Sequence, residues 1–138
     1  MAYLNGSKQF RGIRCSSIIS FTKKCPKILK KFQQEILNRT ITAIIPTIAI
    51  SEILWKMRMI GEQAFKTLKK DYINWKKSPN IIIDNFDVKI LDLMMENKES
   101  YELHDEIIAY TCRKYNTTKI YTKDLKFKEF WSLNTISW

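Results

Sequence analysis

The apolar residues of this chain follow two spacings, and each spacing predicts one kind of element. Short runs rich in isoleucine and other β-branched or aromatic residues, at 41–45, 81–83 and 119–122, predict buried strands. Apolar residues that recur every three or four positions predict helices at 26–38, 47–59, 62–77 and 87–97, and from Asp105 to Lys114. Strands that alternate with helices in this order predict a mostly parallel sheet with right-handed crossovers.

The two ends of the chain follow these spacings less closely. Residues 1–11 are polar and predict an irregular extension, followed by a short first strand at 12–15. Near the other end, residues 126–130 predict a short helical turn and residues 133–138 a last edge strand. Since 138 residues suit one core, we expect residues 1–138 to form a single domain.

The composition narrows the class of protein. A net charge of +10 favours a polyanionic partner such as a nucleic acid. The three glycines form no Gly-x-Gly-x-x-Gly or Walker-type phosphate loop, and the three cysteines and one histidine form no zinc motif or disulfide framework. No apolar run reaches the roughly 18 residues of a membrane span. Residues 1–10 also lack the apolar core of a signal peptide. We therefore expect a protein of the reducing cytoplasm that does not associate with membranes.

The helix predicted at residues 62–77 has a basic face. Five lysines fall within roughly a third of its circumference: Lys66, Lys69, Lys70, Lys76 and Lys77. Such a face is either a solvated surface, which is the commoner case, or a surface that contacts phosphates. The spacing places Phe65 and Tyr72 on the opposite, apolar side of the helix. It therefore does not predict base stacking among the lysines.

Three acidic residues each follow a predicted strand. Glu52 is the first charge after the uncharged run at 40–51, Asp105 opens a helix, and Asp124 follows the strand at 119–122. Each has an ordinary interpretation: a helix-surface glutamate, a residue that favours the helix dipole, and a turn residue. In a parallel sheet, however, all three lie at the carboxyl edge, where three carboxylates would repel one another without a cation. Carboxylate oxygens favour Mg²⁺ or Mn²⁺, and the basic chain favours a phosphodiester substrate cleaved by metal-activated water.

The segments around these acids resemble the PIN-domain nucleases. Residues 45–53 (IPTIAISEI) are similar to the family's apolar strand, Pro-Thr and Glu segment. Residues 103–109 (LHDEIIA) resemble its Leu-His-Asp helix start, and residues 120–124 (IYTKD) its Thr-x-Asp strand end. The three segments occur in the family's order and at its spacing.

This resemblance implies a fold, an activity and partners. PIN domains are small three-layer α/β/α sandwiches with a central, mostly parallel sheet, and they commonly act as Mg²⁺- or Mn²⁺-dependent ribonucleases. Many are toxins of VapBC-type toxin–antitoxin pairs, bound by a small antitoxin and often homodimeric. Here the resemblance implies that Asp105 holds the metal and that Glu52 and Asp124 complete the site, directly or through water. It also implies that Thr122 supports the loop by hydrogen bonding.

One position departs from the family pattern. Cys15 stands where the family has its first metal-binding Asp, and Arg14 adds a positive charge beside it. A thiolate is a soft ligand and suits Mg²⁺ poorly. Two hypotheses follow: a metal-dependent ribonuclease in which Ser16 and Ser17 partly compensate for the missing acid, or a degenerate PIN domain that binds RNA or a protein partner without cleavage.

Two further expectations concern single residues. The resemblance makes His104 a residue that merely precedes Asp105, rather than a general base. Trp131 and Trp138, near the end of the chain, favour an exposed patch for dimerisation or for an antitoxin, because aromatic residues are enriched at protein interfaces.

Overall fold

Strands and helices alternate along the chain. A computed structural model describes residues 9–13, 34–122 and 126–136, and residues 34–37 are helical. The strands are β1 (Gln9–Ile13), β2 (Ile41–Pro46), β3 (Ile81–Asp84), β4 (Lys119–Tyr121) and β5 (Asn134–Ile136). The helices are α1 (Thr47–Ile60), α2 (Glu62–Lys77), α3 (Val88–Met95), α4 (Leu103–Lys114) and α5 (Lys126–Trp131).

The sheet has the order β3-β2-β1-β4-β5, and all its strand pairings are parallel. β1 lies at the centre, where Gly12 is in register with Ile44 of β2 and Ile120 of β4. α1 begins at the residue after Pro46, the last residue of β2. This short connection places the first turns of α1 directly beyond the carboxyl end of β2.

Helices cover both faces of the sheet. Ile41, Ala43 and Ile45 pack with buried residues of α1 and α2, among them Ile53 and Leu68. On the other face, Ile120 packs with residues of α4 and α5, including Ile108, Cys112 and Phe127. Because side chains alternate across a strand, one strand layer serves both cores. The result is the expected three-layer α/β/α sandwich.

The break between α1 and α2 is made by one glycine. Gly61 has a φ of 143°, a backbone conformation that side chains with a Cβ rarely adopt. Its N–H donates to the carbonyl of Met57, which closes the last turn of α1, and α2 begins at the next residue. The antiparallel turn between the two helices therefore depends on Gly61.

The structure corrects the prediction for the start of the chain. Residues 9–11, expected in an irregular extension, belong to β1, and the first strand is Gln9–Ile13 rather than residues 12–15. β1 is defined by its pairing with β2 on one side and β4 on the other, because a short, partly polar strand has only a weak hydrophobic pattern. Arg14 and Cys15 lie outside the described residues, as do residues 26–33 of the helix predicted at 26–38.

Smaller corrections concern the ends of elements. α3 stops at Met95, short of residue 97, although Asp87 caps it as expected by accepting a hydrogen bond of 3.1 Å from the Ile90 N–H. α4 begins at Leu103, so Asp105 lies inside its first turn rather than opening the helix. β4 ends at Tyr121 and leaves Thr122 just beyond the strand.

The expected exposure of Trp131 is wrong. Its side chain is buried and contacts the rings of Tyr101, Phe127 and Phe130, which closes the core under α5. Trp138 lies outside the described residues. Within the described part of the chain, no helix combines the length and the apolar character needed to cross a membrane.

Candidate active site

The contact that defines the candidate site joins α1 to α4. His104 Nδ1 lies 2.5 Å from Glu52 Oε1, across 52 positions of sequence. The carboxylate oxygen accepts and the imidazole N–H donates in this short hydrogen bond. The Glu52 side chain is 25 % exposed and that of His104 42 % exposed. The pair is therefore reachable from solvent.

Asp105 follows His104 directly and occupies a different environment. Its side chain is buried in the first turn of α4, and its backbone N–H donates to Glu102 Oε2 over 2.8 Å. A carboxylate in the first turn of a helix is favoured by the unpaired N–H groups there. His104, the residue before Asp105, contacts Glu52, so Glu52 lies against the turn of α4 that carries Asp105.

Thr122 is the third predicted site residue within the described chain. It is buried immediately after β4, beyond the residue pair Ile13 and Tyr121 that joins β4 to β1. Thr122 thus lies at the carboxyl end of β4, and its supporting role stays a prediction. The remaining predicted site residues, Asp124, Cys15, Ser16 and Ser17, lie outside the described residues.

The described residues do not form a metal centre by themselves. Within residues 9–13, 34–122 and 126–136, no three His, Cys, Asp or Glu side chains group closely enough to hold an ion. Glu52 and Asp105 supply hard oxygen donors, which fit Mg²⁺ or Mn²⁺ in chemical type. A complete ligand set needs a further acid, and Asp124 is the one that the sequence places at this edge.

An open cavity surrounds the Glu52–His104 pair. It is lined by Ser51, Glu52, Trp55, Lys56 and His104. Trp55 is 61 % exposed, and Lys56 is also exposed, so the rim offers an aromatic surface and a positive charge. Such a rim suits an anionic ligand with flat rings.

Sequence reasoning did not find the role of His104. The residue was expected only to precede Asp105, whereas its ring binds Glu52. No periodicity or spacing links residues 52 and 104, so only the three-dimensional structure shows this contact. The sequence contained one usable signal, namely that a polar ring stands next to a predicted metal ligand.

A second group of charged residues holds the end of α4. Lys114 Nζ donates to Asp84 Oδ1 over 2.9 Å and to Asp87 Oδ2 over 2.6 Å, and the Tyr115 hydroxyl donates to the same Asp84 oxygen over 2.5 Å. The hydrogen bond from Lys114 lowers the pKa of Asp87. Burial and the bond to Asp84 raise the pKa of Tyr115. Because the single ammonium group bonds both carboxylates and offsets one of their two negative charges, the protein's own cation occupies this acidic cluster and stabilises the fold.

Comparisons with known proteins concern the family and the fold of the chain. The PIN domain family model matches residues 16–130. No curated protein matches the chain.

Three solved structures resemble the chain. VapBC2 from Rickettsia felis, bound to a promoter DNA fragment, has a TM-score of 0.68 and 17 % identity, and the match covers 94 % of this chain and 99 % of that one. VapC20 of Mycobacterium tuberculosis, a toxin that cleaves the sarcin–ricin loop, has a TM-score of 0.63 and 11 % identity, with coverages of 86 % and 93 %. FitAcB from Neisseria gonorrhoeae has a TM-score of 0.64 and 12 % identity, with coverages of 91 % and 96 %. At these identities the likeness concerns the fold.

Proposed function

Because the chain belongs to the PIN domain family, we propose that it is a metal-dependent ribonuclease and the toxin of a VapBC-type toxin–antitoxin pair. One observation carries the proposal. The hydrogen bond between His104 and Glu52 brings the acid of α1 to the start of α4, beside the buried Asp105. The hydrogen bond thus brings Glu52 to the turn of α4 that carries Asp105, in a protein with a net charge of +10.

The proposed metal is Mg²⁺ or Mn²⁺, held by Asp105 and Asp124 with Glu52 completing the site directly or through water. The ion would supply an activated water and neutralise charge on the phosphate. Asp105 is suited to this work because it is buried and its position is held by the first turn of α4. Glu52, partly exposed, is suited to orient the attacking water. Thr122 supports the Asp124 loop, and Ser16 and Ser17 offer hydroxyl oxygens near Cys15.

A second function is favoured by one position. Cys15 removes a carboxylate from the family's ligand set, and a chain with a weakened site would bind RNA or a protein partner without cleaving it. Cys15 lies outside the described residues, so an assay of RNA cleavage is needed to distinguish the two functions.

The partners proposed for the chain are RNA, a small antitoxin protein and a second copy of the chain, in the cytoplasm. The structural neighbours support a toxin with a partner, since VapC20 is named as a toxin and VapBC2 as bound to DNA from its promoter. The net charge of +10 supports the nucleic acid.

The decisive experiment measures cleavage of a labelled RNA with Mn²⁺ by four proteins: the wild type, Asp105→Asn, Cys15→Asp and the matched control Glu106→Gln. We expect Asp105→Asn to lower the rate at least 100-fold, because an amide is a poor metal ligand. Glu106 is also buried in the first turn of α4, but successive side chains of a helix project about 100° apart, so it is directed away from Asp105. Glu106→Gln should therefore cut at the wild-type rate.

The four proteins separate the two functions. A wild type that cuts, with an inactive Asp105→Asn, supports the nuclease. A silent wild type with an active Cys15→Asp means that activity was lost at position 15. If neither the wild type nor Cys15→Asp cleaves RNA and both still bind it, the binding function replaces the nuclease.

A further inference from the structure

The exposed side of α2 carries aromatic and basic residues in alternation. Phe65, Lys69, Tyr72 and Lys76 are spaced by four, three and four residues, so they form one stripe along the helix, about 17 Å long at 1.5 Å per residue. We call these four residues the α2 stripe. Lys69 Nζ lies 5.7 Å from the centre of the Phe65 ring, and Lys76 Nζ lies 4.7 Å from that of Tyr72.

This arrangement overturns the expectation that the aromatic residues of α2 lie apart from its lysines. Tyr72 is exposed, and Phe65 is only half-buried. The core of the helix is instead made by Leu68, with Trp75 packed beside it. Each ring therefore stands at the border between core and solvent, next to a lysine.

The charge around the stripe is almost entirely positive. Arg58 of α1 also lies over the Phe65 ring, at 5.7 Å. Of the two acids of α2, Glu62 is paired with Lys66 over 2.8 Å, and Asp71 lies on the half-buried side. The stripe thus combines flat rings with cations that no acid of the same helix neutralises.

The stripe is continuous with the candidate active site. Lys69 and Tyr72 line a groove between α1 and α2, together with Ser51 and Leu54 of α1. Ser51 also lines the cavity around Glu52 and His104. A bound chain could therefore run from Tyr72 across Ser51 to Glu52 without leaving the surface.

We propose that the α2 stripe binds single-stranded RNA on one side of the phosphate that lies at the Glu52–Asp105 site, with bases on Tyr72 and Phe65 and phosphates on Lys69 and Lys76. The path of the RNA towards Glu52 rests on the proposed function, whereas RNA binding by the stripe does not require cleavage.

Stacking a base on an aromatic side chain changes affinity roughly 5- to 150-fold. An exposed cation–π contact is worth only about two- to fivefold. RNA would therefore displace the lysines from the rings and take them as phosphate contacts. A duplex hides its base faces, so the ligand is a single strand.

The test is fluorescence anisotropy with a labelled 16-nucleotide RNA of mixed sequence in EDTA, using Asp105→Asn as the background so that the RNA stays intact. The test variant is Lys69→Gln/Lys76→Gln. The matched control is Lys70→Gln/Lys77→Gln, which removes the same charge from the same helix. Neither control lysine has an aromatic ring within cation–π distance in the described part of the chain.

We expect the stripe variant to bind about tenfold or more weakly and to lose about 1.4 from the slope of log affinity against log salt, as for two lost phosphate contacts. The control should lose less than threefold. Tyr72→Leu, which keeps an apolar side chain, should lose at least about fivefold with an unchanged salt slope, because stacking involves no ion release. Urea midpoints should match the parent in all three variants.

Equal weakening by the two lysine pairs would overturn the proposal in favour of a uniform basic surface. RNA affinity unchanged by all the variants would also overturn it and would leave this face to a protein partner. The proposed nuclease is tested separately, through Asp105 with the stripe intact. If the wild type cleaves RNA but the stripe variants bind RNA with the parent's affinity, only the proposal for the stripe is rejected. If the wild type does not cleave RNA but the stripe variants bind it more weakly, only the proposed nuclease is rejected.

Discussion

Glu52 and Asp105 illustrate how environment separates two residues of the same chemistry. Asp105 is 3 % exposed and lies where the N–H groups at the start of α4 favour a negative charge. Glu52 is partly exposed and shares a hydrogen bond with His104. A buried, oriented carboxylate suits a metal ligand, and a solvated one suits contact with water. In the proposed site, His104 would therefore hold Glu52 in position.

At the residue scale we predict that Glu52→Gln separates activity from stability. The exposed pair with His104 is worth less than about 1 kcal/mol of stability, so the free energy of unfolding should change by no more than that. Cleavage should fall at least 100-fold, since loss of a group that activates water costs about 10²–10⁴ in rate. Urea unfolding and RNA cleavage measure the two effects. Glu96→Gln, at the exposed end of α3, is the control. Retained cleavage in Glu52→Gln would remove Glu52 from the site.

At the scale of elements, α4 connects the candidate site to the rest of the fold. Its first turn carries His104 and Asp105, and its last turn is held by Lys114. Burial alone would lower the pKa of Lys114, but the hydrogen bonds to Asp84 and Asp87 outweigh it and raise the pKa. This cluster ties the end of α4 to the connection between β3 and α3. The helix that positions Asp105 is thus fixed at both ends.

We predict that Lys114→Gln lowers the free energy of unfolding by about 3 kcal/mol, because it leaves the buried Asp84 with Tyr115 as its remaining partner. The matched control is Lys66→Gln. It breaks an exposed pair of similar length, 2.8 Å, and should cost less than about 1 kcal/mol. Urea unfolding of both variants at pH 7 measures the difference. If both variants lose the same free energy of unfolding, burial of the Lys114–Asp84 pair does not add to its effect on stability.

The same cluster predicts a pH dependence. The pKa of Asp87 is lowered in the folded protein, so its contribution is present above the ordinary value of 3.8 and is lost as the pH falls below it. The pKa of Lys114 is raised, so its contribution is present below 10.5 and is lost as the pH rises above it. The stability gap between wild type and Lys114→Gln should therefore be widest between these values. Urea titrations at pH 3 and pH 7 test this, and a gap that grows towards pH 3 would contradict it.

At the scale of the whole molecule, the fold depends on a strand near the start of the chain. β1 pairs with both β2 and β4, while β5 pairs only with β4 at the edge of the sheet. Without β1, the two halves of the sheet have no common partner. The carboxyl ends of β2 and β4, which lead to Glu52 and Thr122, would then no longer share an edge.

We predict that removing residues 1–13 abolishes cooperative unfolding, whereas removing residues 134–138 leaves a folded protein of lower stability. The first change takes away strand pairings on two sides and the second on one side. Circular dichroism during thermal unfolding measures both. A sharp transition in the chain without residues 1–13 would show that the sheet closes without β1.

How much the sequence could predict varies along the chain. α2 matches its predicted bounds because Gly61 and the residues after Lys77 end the helix locally. The predicted gathering of acids at the carboxyl edge follows from strand order, and it stays a prediction, since Asp124 lies outside the described residues. β1 was placed three residues late, since a short, partly polar strand depends on its neighbours for definition.

The sequence by itself determined the parallel α/β fold, the order of its elements, and the family, because these follow from local periodicity and from short motifs. The tertiary structure alone decided the contact of His104 with Glu52 and the ion pair of Lys114 with Asp84. These contacts join residues far apart in sequence. Periodicity specifies which face of an element is apolar, but the packing of the whole chain decides which polar side chains meet.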